Sequence, residues 1–63
     1  MERTYVIFGA GKFGRLALQK YRNEVAYFVD NNSAIWGKQI EGIDIKSPDE
    51  YLAEREKYTV LIA

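Results

Sequence analysis

The sequence predicts an α/β domain of the βαβ kind, with parallel strands joined through a helix. Three observations carry that prediction. An apolar, β-prone run, Thr4-Tyr5-Val6-Ile7-Phe8, leads into the glycine-rich turn Gly9-Ala10-Gly11-Lys12-Phe13-Gly14 and then into good helix formers. A second apolar run, Val25-Ala26-Tyr27-Phe28-Val29, ends on Asp30, 21 residues after Gly9. A third, Thr59-Val60-Leu61-Ile62-Ala63, reads as another central strand.

Each glycine of the turn has its own physical task. At Gly9 the chain must leave the strand sharply. At Gly11 a side chain would keep an anion away from the main chain, and at Gly14 it would hold the helix off the sheet. The helix that follows presents Gly14, Ala17, Leu18 and Tyr21 on one face. Its amino end offers unpaired N–H groups and the positive end of the helix dipole. Asp30 stands where a ribose-binding acid is expected. The pattern is that of a βαβ nucleotide-binding unit, with Gly9, Ala10, Gly11, Lys12, Phe13, Gly14, Asp30 and Asn31 as candidate cofactor-binding residues. Two readings of Asp30 stay open: an acceptor for ribose hydroxyls, favouring NAD over NADP, or a turn-forming residue. Lys12 is either a phosphate contact or a solvated first-turn residue. Phe13 is read as packing rather than ligand contact, and Trp36 as a capping or interface aromatic.

Between the second and last strands the chain is less regular. Asp30-Asn31-Asn32-Ser33 is a turn, because Asn and Asp bond their own backbone. Ala34-Ile35-Trp36-Gly37 suits one helical turn ended by glycine. The run from Lys38 to Ile45 alternates around Gly42, which predicts two short edge strands or one bent strand. Ser47-Pro48-Asp49-Glu50 is a helix start with N-cap, first-turn proline and capping box. That helix is expected from Pro48 to about Lys57, with Tyr51, Leu52 and Arg55 on one side. The five tyrosines, at strand and helix periods, are expected at the edge of the core.

Composition excludes several functions. Nine basic and nine acidic residues give no net charge, and there is no basic stripe or helix-turn-helix pattern, so a nucleic-acid partner is not expected. Cysteine and histidine are absent, which removes disulfides, thiolate metal sites and the commonest neutral-pH base. No apolar run approaches the roughly 18 residues of a membrane span, and Met1-Glu2-Arg3-Thr4 lacks the order of a signal peptide. A cytoplasmic location is expected.

Taken together, Gly9 to Gly14, Tyr27-Phe28-Val29-Asp30-Asn31 and the passage Gly37 to Ile45 resemble the N-terminal Rossmann-like domains of bacterial polysaccharide-biosynthesis proteins. That group includes nucleotide-sugar epimerases and dehydratases and the left-handed β-helix sugar O-acyltransferases. The resemblance spans essentially all 63 residues. It implies a three-layer Rossmann-like half domain: a parallel sheet ordered 2-1-last, with a short edge strand or hairpin outside strand 2. Two helices would lie on opposite faces, and a ligand would bind at the switch point between Phe8 and Ala63. Gly11-Lys12-Phe13 departs from the Gly-Gly-His-type turn of the acyltransferases, which favours the epimerase/dehydratase-like or accessory branch. No tyrosine has lysine four residues later, so the Tyr-x-x-x-Lys pair of short-chain reductases is missing. The chain is therefore expected to bind NAD(H) or a nucleotide sugar without catalysing. It is read as a piece of a larger protein, the first half of a larger mononucleotide-binding unit. It is expected to self-associate through open sheet edges or exposed apolar faces or to form homo-oligomers. Gly11-Lys12-Phe13-Gly14 also resembles the potassium-conductance regulatory domains, which lack the Gly37-to-Ile45 pattern. A scaffold domain without ligand is the third alternative.

Overall fold

The computed structural model describes residues 3–62. The chain is a mixed α/β unit with one five-stranded sheet, mostly parallel, and two α-helices. The strands are β1 (Tyr5–Phe8), β2 (Val25–Val29), β3 (Gln39–Ile40), β4 (Ile43–Lys46) and β5 (Thr59–Ile62), in the spatial order β3-β4-β2-β1-β5. β1 runs parallel to both β2 and β5, and β2 parallel to β4; only the β3–β4 pair is antiparallel. The helices are α1 (Lys12–Tyr21) and α2 (Pro48–Leu52).

The central strands are nearly continuous apolar runs because they are buried on both faces. Val6, Ile7, Val25, Phe28 and Val29 have no exposed surface. Two cores result. One gathers Ile7, Val25, Phe28 and Ile45 beneath Leu18, with Ala17 and Tyr21 of α1 packed on it. The other gathers Val6, Tyr27 and Val29, with Tyr51 of α2 and Tyr58 against it. Strict alternation would not put Val25 and Phe28 in one core. A register shift in β1–β2 allows it: Tyr5 faces Val25 but Val6 faces Tyr27, so Ala26 has no opposite residue.

Two turns follow from local chemistry. Ser47 accepts from the Glu50 N–H while the Glu50 carboxylate accepts from the Ser47 N–H, so the capping box forms and Pro48 fits its first helical position. The β3–β4 hairpin turns through Glu41 and Gly42, both with positive φ (51° and 82°), the arrangement whose twist suits adjacent strands. Asp30 to Gly37 forms the expected turn, a short 3-10 turn (Ser33–Ile35), and a glycine with φ 83°.

α2 is shorter than the sequence suggests. It stops at Leu52, and a 3-10 turn (Arg55–Lys57) takes the place of its last turns. Leu52 is 55% exposed and Arg55 is also exposed, so Tyr51, Glu54 and Tyr58 form the inward side instead. That side meets β2. The Tyr27 hydroxyl donates to Glu54 Oε1 at 2.8 Å, and the Tyr27 and Tyr58 rings meet edge-on with centroids 5.4 Å apart. Tyr27 thus holds Glu54 and Tyr58 on the segment where the chain has left α-helical geometry. The tyrosines do not all sit at the edge of the core: Tyr27 is 3% exposed.

Candidate functional site

The candidate site is the turn between β1 and α1. The Gly9 N–H donates to the Val29 carbonyl at 2.7 Å, which ties the start of the turn to the end of β2. Gly9 then takes φ 112°, a conformation that side chains disfavour. The chain enters α1 through Gly11, with φ −86°, as an N-cap without a capping side chain. The Arg15 N–H, bonded to the Gly11 carbonyl at 3.0 Å, is the first to find a partner within the helix. The N–H groups of Lys12, Phe13 and Gly14 precede it, and no acidic residue occupies the first turn. The site therefore presents donors and a positive dipole end with no side-chain carboxylate of the helix to answer them.

Gly11 and Gly14 differ in kind. A β-carbon at Gly14 would collide with the Gly9 carbonyl oxygen and stand 3.4 Å from the Phe28 ring. There the helix rests on the turn itself, so glycine is a packing requirement. A β-carbon at Gly11 would meet nothing within 4 Å, and the φ of that residue suits any amino acid. The fold does not need glycine at position 11.

Asp30 lies across the turn at the end of β2. Its Oδ2 accepts the Ala10 N–H at 2.9 Å and its Oδ1 accepts the Asn32 N–H at 2.8 Å. The second bond is the Asx turn of the turn-forming reading. A carboxylate has roughly four acceptor positions, so about two remain for hydroxyl donors. Asn31 is exposed beside it. The Trp36 indole N–H donates to the Asp30 carbonyl at 2.6 Å, so Trp36 fastens the loop while its ring stays 41% exposed.

Ala10 is buried, whereas Gly11 and Lys12 are exposed and line a cavity of about 380 Å³ with Arg15 and Leu16. Arg15 and Leu16 were absent from the expected set. Their signal was helical spacing, since Arg15 follows Lys12 by three residues and shares its side of α1. Phe13 corrects its packing expectation: it is 69% exposed, because it lies off the face that carries Gly14, Leu18 and Tyr21. Ala63, expected beside the switch point, lies outside the described residues. Among the described residues no cluster of metal-binding side chains occurs, and no helix is long and apolar enough to cross a membrane.

No protein-family model, curated protein or solved structure matches this chain.

Proposed function

We propose that the turn from Gly9 to Gly14 binds the diphosphate of a dinucleotide or nucleotide sugar, NAD(H) foremost, with Asp30 accepting from a ribose hydroxyl. One observation carries this reading: the glycine at position 11 has open space above it and an ordinary φ. Packing explains Gly14 but offers no reason for Gly11. Close approach of a phosphate to bare backbone does. The uncapped N–H groups of α1 and the cation Lys12 supply the matching charge.

The strand order β3-β4-β2-β1-β5 supports a Rossmann-like arrangement, in which the ligand would lie at the carboxyl ends of β1 and β5. On this reading the chain is a nucleotide-binding part of a protein that modifies sugars, and it resembles the domains of polysaccharide biosynthesis named above. The parent reaction would be NAD-dependent epimerisation or dehydration of a nucleotide sugar, with the reacting groups outside these residues. The same reading holds for a cytoplasmic protein that self-associates along the open edges of β3 and β5.

A second reading, a scaffold domain without ligand, is favoured by the Asp30 carboxylate, since both of its oxygens already hold backbone N–H groups. Calorimetric titration with NAD, a UDP-sugar and ADP separates the two. NAD or UDP-sugar binding that is lost in Asp30→Ala supports the first reading, whereas silence with every ligand supports the scaffold. Binding of ADP alone would favour the regulatory-domain resemblance.

A further inference from the structure

A second cavity, of about 840 Å³, opens on the sheet face that carries Tyr27, and it contains no residue of the glycine turn. Ala26 and Tyr27 of β2 form its floor. Asp44 and Lys46 of β4 line one side, and Arg3, Lys57 and Tyr58, which precede β1 and β5, line the other. Because α2 ends at Leu52, it leaves this part of the sheet face open.

The charges here are unbalanced. Arg3, Lys46 and Lys57 bring three cations to one concavity, and among the described residues none has a carboxylate oxygen within ion-pair distance. Asp44, the one acid in the lining, accepts from the neutral Gln39 amide at 2.7 Å and keeps its charge, so the lining sets three cations against one carboxylate. Glu54, outside the lining, accepts from the Tyr27 hydroxyl at 2.8 Å. Two of the cations are held in place. The Lys46 ammonium stands 4.3 Å over the Tyr27 ring. The Arg3 guanidinium donates to the Val25 carbonyl at 2.8 Å, and that nitrogen is only one of its three. The chain as a whole carries no net charge, so this local excess is a matter of placement.

We propose that this groove is a second binding site, for a small multiply charged anion of the phosphate type, held by Arg3, Lys46 and Lys57. Its volume lies within the roughly 300–1,000 Å³ of small-molecule sites. A doubly or triply charged phosphate answers three cations better than a single carboxylate does. The amino-terminal approach of β1 and β5 supplies Arg3 and Lys57, whereas the glycine turn lies at the carboxyl end of β1. The two sites can therefore fill independently.

The test is an amide NMR titration of the chain with inorganic pyrophosphate, against sodium chloride at matched ionic strength. Saturable shifts at Ala26, Tyr27, Asp44, Lys46 and Tyr58 are expected. Lys57→Gln and Lys46→Gln should each weaken binding about two- to fivefold. Among the described residues the Lys57 side chain makes no hydrogen bond, ion pair or aromatic contact. Its one hydrogen bond, from its backbone N–H to the Glu54 carbonyl, survives the substitution, so this variant keeps the test clean if Lys46→Gln disturbs the Tyr27 ring. Shifts confined to Gly9–Gly14, shifts reproduced by chloride, or affinity unchanged in Lys57→Gln would overturn the proposal. The first of those outcomes would still support nucleotide binding at the turn, so the two sites fail separately.

Discussion

The Asp30 carboxylate reaches from the end of β2 to the Ala10 N–H at 2.9 Å and so closes the glycine turn from the far side. The acid that would orient a ribose is thus also a strut of the turn. Asp30→Asn keeps one oxygen and must lose one of the two backbone bonds, because an amide nitrogen cannot accept from an N–H. A loss of about 1 kcal/mol is expected in urea unfolding, and about 2 kcal/mol for Asp30→Ala. No change in either variant would show that the bond does not hold the turn.

Gly14→Ala and Gly11→Ala should behave oppositely. At Gly14 the new methyl runs into the Gly9 carbonyl, which is backbone and cannot swing aside. The cost is expected to be about 3 kcal/mol, enough to unfold much of so small a chain. At Gly11 the methyl enters open space, so melting should shift little, or rise slightly as the unfolded chain loses freedom. Circular dichroism melts of the two variants check both halves.

Ser47→Ala removes the side-chain half of the capping box on a helix of only five residues. A cost of about 1 kcal/mol is expected. Amide exchange should quicken at Asp49–Leu52, while β1 and β2 stay protected. Equal loosening of the sheet would mean that α2 and the central strands open together.

Tyr27 gives the fold an alkaline limit. Burial first, and then the hydrogen bond to Glu54, push its phenol well above the usual value near 10. Since the folded state holds the proton more tightly, this stabilisation is fully present below about pH 10. It is lost as pH rises from there toward the raised value. Tyr27→Phe should cost about 1 kcal/mol at neutral pH through the lost bond to Glu54. It should also flatten the alkaline fall in melting temperature. An alkaline fall of the same steepness in the variant would assign it to other groups.

Much of this was legible because it is local. Ser47, Pro48 and Glu50 act within three residues of one another, and Gly14 meets the Gly9 carbonyl only five residues back, so the cap and the turn appear where the sequence puts them. What escaped depends on partners distant in the chain. Tyr27 grips Glu54 from 27 residues away, beyond the end of α2, and no local pattern shows that contact. The bulge that turns Val25 toward Phe28 is a property of the pairing between β1 and β2, and no pattern within either strand announces it. Phe13 looked like packing because it is large and apolar, yet its angular position on α1 sends it to solvent. The cations of the Tyr27 face come from three separate segments, Arg3, Lys46 and Lys57, so no stretch of sequence reads as a basic patch.

The central claim is that bare backbone at Gly11 exists to let a diphosphate approach the tip of α1. Amide NMR titration with NAD into the original chain and into Gly11→Ala tests it most directly. The account predicts saturable shifts at Gly9–Gly14 and Asp30, with affinity about tenfold weaker in the variant and melting unchanged. No shift at the turn with millimolar NAD, or equal affinity in the two proteins, would contradict it.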